Sequence, residues 1–77
     1  MSVRTSRYSR TADRQVLTAR LENLAIQVEE ALGELWLGAN AGDIRLECAA
    51  ARRIQSLGFL MGEDVRKYER RRGQQPA

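Results

Sequence analysis

An apolar seam in the first half of the chain constrains the fold more than any other feature of the sequence. Six apolar residues recur there at alternating intervals of four and three residues: Leu17, Leu21, Leu24, Val28, Ala31 and Leu35. This alternation is the a/d pattern of a heptad repeat, and it places all six side chains on one stripe of an α-helix. A β-strand cannot produce it, because strand side chains alternate with a period of two.

A second apolar stripe follows after a glycine-rich segment. Its members are Leu46, Ala50, Ile54, Leu57, Leu60, Met61, Val65 and Tyr68. In the segment between the stripes, we expect Gly38 to take the left-handed conformation that often ends a helix. Either Asn40 or Asp43 can cap the helix that follows. Because so short a connection cannot carry the chain back along helix 1, the second helix should run antiparallel beside the first.

The sequence therefore predicts an all-α protein built as an antiparallel two-helix hairpin. The predicted segments are a flexible basic arm (residues 1–10), a hairpin domain (11–72) with helix 1 at about 12–37, a turn at 38–42 and helix 2 at about 43–71, and a disordered tail (73–77). Glycine is a poor helix former, so Gly58 and Gly62 leave an alternative in which helix 2 is broken near them and the fold has three helices.

Dimerisation into a four-helix bundle is the expected route to stability. A chain of 77 residues seldom gains more than about 3–5 kcal/mol from its own core. The single cysteine excludes an intrachain disulfide, and the absence of histidine excludes a Cys/His zinc site within one chain. The residues expected to form the core and dimer seam are Leu17, Leu21, Leu24, Val28, Leu35, Leu57 and Met61.

A weaker row of small and apolar residues lies on the opposite face of helix 1. It consists of Ala19, Ile26, Gly33 and Leu37. Two interpretations remain open, since scattered apolar residues are common on protein surfaces, whereas small residues also permit close contact with another helix.

We expect no enzymatic activity, no cofactor and no metal. The chain has no histidine for general base work and no glycine-rich phosphate loop. The acidic pairs Glu29-Glu30 and Glu63-Asp64 are adjacent in sequence, so their side chains diverge by about 100° on a helix. We interpret both pairs as solvated helix surface. Cys48 is expected to be structural rather than reactive.

Phe59 is the strongest candidate for a protein-binding residue. Its helical neighbours include Arg52 and Arg66, so it should point away from the apolar stripe of helix 2. A large aromatic side chain surrounded by charge is a plausible anchor for a partner protein. These three residues define the predicted protein-binding patch.

The charge distribution predicts a basic pole, and with it an alternative ligand. Residues 1–14 carry a net charge of +3 and residues 66–72 one of +4, whereas residues 15–65 carry −4. An antiparallel hairpin brings the two basic segments to the same end. Such a pole could bind nucleic acid through its phosphates. The candidate residues are Arg4, Arg7, Arg10, Arg70, Arg71 and Arg72.

A non-enzymatic regulator or adaptor that binds a larger protein is the favoured function. Small size, an uneven distribution of charge and the lack of an active site would suit a phage- or plasmid-encoded inhibitor of a larger host machine. A nucleic-acid-binding protein and a structural assembly component are the alternatives. The lone cysteine and the absence of a secretion signal favour a cytoplasmic location, and no apolar run is long enough to cross a membrane.

Overall fold

Two long helices make up the structure, a computed structural model that describes the backbone of residues 2–74 and the side chains of residues 12–73. Helix α1 spans Ser2–Ala41 and helix α2 spans Ile44–Gln74. They pack against each other as an antiparallel hairpin about 60 Å long, which confirms the predicted all-α architecture. Because α2 runs without a break through Gly58 and Gly62, the three-helix alternative is wrong.

Both helices extend beyond the bounds that the sequence predicted. Helix α1 begins at Ser2 instead of near residue 12 and ends at Ala41 instead of near residue 37. No glycine or proline precedes Gly33, so nothing in that stretch breaks a helix. The side chains of the predicted basic arm lie outside the described ones, and its mobility stays a prediction. Of the predicted tail, only the backbone up to Gln74 is described.

The turn between the helices is a Schellman motif that ends α1. Gly42 has a positive φ of 69°. Its N–H donates a hydrogen bond to the carbonyl of Ala39 at 3.4 Å, and the N–H of Asp43 donates to the carbonyl of Gly38 at 2.8 Å. This pair of bonds satisfies carbonyls that would otherwise lack a partner at the helix end. The prediction that Gly38 takes the left-handed conformation is therefore wrong, since Gly42 takes it.

Asp43 then starts α2 directly. Its carboxylate accepts a hydrogen bond from the N–H of Leu46 at 3.2 Å, and its carbonyl accepts the first intrahelical bond from the N–H of Glu47 at 3.1 Å. These are the two bonds of an N-cap residue. Of the two caps that the sequence offered, the helix uses Asp43.

Gly38 has a different role, because it lies where the two helices approach most closely beside the turn. It is buried. A Cβ atom on this residue would lie 2.8 Å from the backbone nitrogen of Glu47 and 3.1 Å from the carbonyl oxygen of Asp43. The seven-residue interval from Ala31 to Gly38 continues the seam of α1. The seam therefore ends on a position where no side chain fits.

The core of the hairpin is thin. Among the described residues, the buried apolar side chains are Ala31, Ala50 and Leu57, and no large side chain is completely buried. The other predicted seam residues are half-buried, namely Leu17, Leu21, Leu24, Val28, Leu35 and Met61. Two helices can cover each other along one line of contact only, so the flanks of both apolar stripes stay open to solvent.

Candidate binding surfaces

One side of the hairpin, here called the charged side, carries every interhelix ion pair found among the described residues. Arg71 pairs with Asp13 at 3.3 Å. Arg53 reaches both Glu34 at 3.5 Å and Glu30 at 3.8 Å. On α1 the residues of this side recur every seven positions and are Asp13, Arg20, Gln27 and Glu34. Exposed pairs of this kind contribute at most about 1 kcal/mol each, but together they favour one register of the two helices.

The opposite side, here called the apolar side, has no such charges at its centre. Its residues recur every seven positions on both helices. They are Thr18, Ala25, Leu32 and Ala39 on α1, and Ile44, Ala51, Gly58 and Val65 on α2. Leu32 and Ile44 are 39% and 65% exposed. A Cβ atom added at Gly58 or at the nearby Gly62 would meet nothing within 4 Å. These glycines therefore serve no close approach within the hairpin, and there is open space above them.

A carboxylate occupies one position of the α2 seam. Asp64 is only 8% exposed and follows Leu57 by seven residues, in line with Ala50. Its carboxylate accepts a hydrogen bond from Nε of Arg20 at 3.0 Å. This hydrogen bond and the charge of Asp64 raise the pKa of the Arg20 guanidinium above its ordinary value. The sequence analysis missed this pair, although the interval of seven from Ala50 and Leu57 was visible.

Replacing the two partners of this pair should have unequal effects. Arg20→Ala leaves a nearly buried carboxylate without its partner, so we expect it to lower the midpoint of urea unfolding. Asp64→Leu instead extends the apolar seam and releases an arginine that is already exposed. Replacing a buried ionic group by a well-packed apolar one is often neutral or stabilising by about 1–4 kcal/mol. If Asp64→Leu destabilised the fold as much as Arg20→Ala, the pair would be a net source of stability.

A shallow cleft at the open end of the hairpin gathers several charged groups. Its lining is Asp13, Val16, Leu17, Arg20, Asp64, Lys67, Tyr68 and Arg71. Both carboxylates in the cleft accept hydrogen bonds from arginines, Asp64 from Arg20 and Asp13 from Arg71. In the part of the chain that the structure describes, no three cysteine or acidic side chains come together as a metal site.

The predicted protein-binding patch is a row on the outer face of α2. Phe59 is 66% exposed, and Arg52 and Arg66 are exposed seven residues before and after it. Each interval of seven corresponds to a rise of about 10 Å along the helix, so the three side chains form a line rather than a cluster. Arg66 also pairs with Glu63 at 3.5 Å. Cys48 is a free, exposed cysteine and not the structural residue that we expected.

The predicted basic pole is only partly described. The side chains of Arg4, Arg7 and Arg10 lie outside the described ones. In α2 the three consecutive residues Arg70, Arg71 and Arg72 are exposed and point about 100° apart around the helix. They therefore spread around the end of the hairpin instead of forming one surface, and Arg71 is engaged with Asp13.

Comparison with known proteins leaves the geometry as the sole guide to function. No family model, no curated protein and no solved structure matches this chain. Within the described residues, neither helix contains a segment long and apolar enough to cross a membrane.

Proposed function

We propose that this protein is a non-enzymatic helical adaptor or regulator that binds a larger protein through Phe59, Arg52 and Arg66. One observation carries the proposal: Phe59 is 66% exposed on the outer face of α2, where it takes no part in packing the hairpin. Aromatic and arginine side chains are the types most often found at the energetic centres of protein interfaces.

The spacing of this row indicates what a partner must offer. Arg52 and Arg66 lie fourteen residues apart, which is about 21 Å along the helix, with Phe59 at the midpoint. A complementary surface would have an apolar pocket for the ring and acidic groups on either side of it. Such charges raise the rate of association and select the partner more than they raise affinity.

Substitution of Phe59 tests this proposal. The purified protein is immobilised, retained proteins are identified from a lysate of the cells that produce it, and the affinity of the retained partner is then measured with pure components. Phe59→Ala should weaken binding by about 2 kcal/mol or more, which is roughly 30-fold. Leu60→Ala is the matched control, because Leu60 is the next residue, is 49% exposed and points about 100° away. Equal affinity of Phe59→Ala and wild type would refute the patch.

The proposed working form is a homodimer in the cytoplasm. The thin core supports the dimer, since no large side chain among the described residues is completely buried and small folds usually need a further source of stability. The free thiol of Cys48 supports a reducing compartment.

Nucleic acid is the second candidate ligand, and the segregation of charge favours it. The basic residues at the open end would neutralise phosphates, so affinity for duplex DNA should fall with a log–log salt slope of about −0.9 per contact. Titration of labelled duplex and single-stranded oligonucleotides at about 50 and 200 mM salt measures this slope. Tight binding that is lost on deletion of residues 1–10 and 70–77 would favour nucleic acid over a protein partner, and no binding at the lower salt would remove it.

A further inference from the structure

The apolar side of the hairpin is broader than a two-helix contact requires. We propose that it is covered by a second copy of this chain in antiparallel orientation, so that the turn of each hairpin lies beside the open end of the other. This inference rests on the proposed homodimer and adds which side is used and how the copies are oriented. On both helices, apolar residues occupy the seam and also the row that flanks it, a pattern typical of helices in bundles.

Exposed apolar groups on this side support an additional contact. Leu32 and Ile44 are 39% and 65% exposed, and a Cβ atom added at Gly58 would meet nothing within 4 Å. A second copy on the apolar side would cover Leu32 and fill the space above Gly58.

The charges of the two halves of the hairpin favour the antiparallel orientation. By the register of the ion pairs, the half nearest the turn is residues 27–57, which carry five acidic and three basic side chains, for a net charge of −2. The other half within the described side chains, residues 12–26 and 58–73, carries five acidic and seven basic ones, for +2. Parallel copies would bring like charges together at both ends. Antiparallel copies bring opposite charges together at both ends.

The charges that lie next to the two seams on the apolar side show the same asymmetry. Arg14 and Arg72 lie toward the open end of the hairpin, where Asp13 faces Arg71. Glu47 lies toward the turn, where its backbone packs closely against Gly38. In an antiparallel pair, Arg14 and Arg72 of one copy lie close to Glu47 of the other, whereas parallel packing would place each of these charges beside its own equivalent.

Distances between spin labels on the two copies test the orientation. Two variants are made in a Cys48→Ser background, each with one cysteine for the spin label. The first replaces Asn40, near the turn, and the second replaces Gln55, near the middle of the hairpin. Residues 12–41 of α1 span about 45 Å, so antiparallel copies should place labels at position 40 roughly 40 Å apart. Parallel copies would place them within ~25 Å, because neighbouring helices lie about 8–10 Å apart. Labels at position 55 should lie close together in either orientation and report the dimer itself.

Two leucines on opposite sides test which side is used. Leu32→Glu on the apolar side should raise the dissociation constant of the dimer about 100-fold or more, because it would bury an unpaired charge. Leu60→Glu is the control on the charged side, where it lies between Arg53 and Lys67, and it should change that constant less than about threefold. As a control, the helical circular dichroism signal of both variants at high protein concentration should equal that of the wild type.

The possible outcomes separate the claims. Long distances at position 40, short ones at position 55 and loss of the dimer in Leu32→Glu alone are the expected result. Short distances at position 40 would overturn the orientation, and a stronger effect of Leu60→Glu would overturn the side. No dipolar coupling at either position would overturn this inference together with the proposed homodimer. Binding of a partner protein through Phe59 is measured separately, so its failure is distinguishable.

Discussion

Leu57→Ala is expected to lower the free energy of unfolding by about 2–5 kcal/mol, because it removes a buried side chain and leaves a cavity. Leu57 is 6% exposed and is the largest of the buried apolar side chains. The core of so small a domain contributes only about 3–5 kcal/mol in total, so this variant should lose a large part of its stability. Urea unfolding followed by circular dichroism, at one fixed protein concentration, measures the loss.

Leu60→Ala is the matched control for this substitution. Leu60 lies three residues further along α2 and is 49% exposed, so we expect a loss below about 1 kcal/mol. The seam residue Leu24 is half-buried, and Leu24→Ala should fall between the two. Equal losses for Leu57→Ala and Leu60→Ala would mean that α2 presents a different face to α1.

Gly38→Ala should destabilise the hairpin by about 1–3 kcal/mol, the usual cost of forcing extra atoms into a filled contact. The new Cβ atom would lie 2.8 Å from the backbone nitrogen of Glu47. A backbone atom cannot rotate away, so the helices must separate beside the turn. The midpoint of thermal unfolding measures this effect.

Gly33→Ala is the control, and its expected effect has the opposite sign. A Cβ atom at Gly33 would meet nothing within 4 Å, and alanine is favoured over glycine in a helix by about 1 kcal/mol. The thermal midpoint should therefore rise. A fall would indicate that Gly33, with Ile26 and Leu37, forms a close contact with another helix, which was the second interpretation of that row.

The heptad pattern could be read from the sequence with good accuracy because it depends only on spacing. The interval from Leu17 to Leu35 defines a helix and its inner face without knowledge of any partner. The position of Phe59 also followed from spacing, since Arg52 and Arg66 lie seven residues on either side. Features that depend on one helix alone were therefore predictable.

Features that depend on how two helices meet were not predictable in the same way. Gly38 and Gly42 are both suited to a left-handed residue at a helix end, and only the path of α2 shows that Gly38 is required for close approach. Asp64 was missed because a carboxylate is not expected in an apolar seam. Its partner Arg20 is forty-four residues away in the chain, a distance at which spacing carries no information.

The contrast between the two sides of the hairpin also needed the structure. Which row of α1 faces which row of α2 depends on the register of the helices, and the ion pairs of Arg53 and Arg71 show that register directly. Once it is known, the polar row beginning at Asp13 and the apolar row beginning at Thr18 separate onto opposite sides. This separation leaves three distinct surfaces: a charged side, an apolar side and the outer row around Phe59.

Dependence of stability on protein concentration tests most directly whether this hairpin is completed by association. For a fold stabilised by self-association, the thermal midpoint rises with concentration by mass action. We expect it to rise between about 1 and 100 μM for the wild-type protein, and Leu32→Glu should abolish the rise. A wild-type midpoint that stays constant over this range, with sedimentation as a compact monomer, would contradict the account.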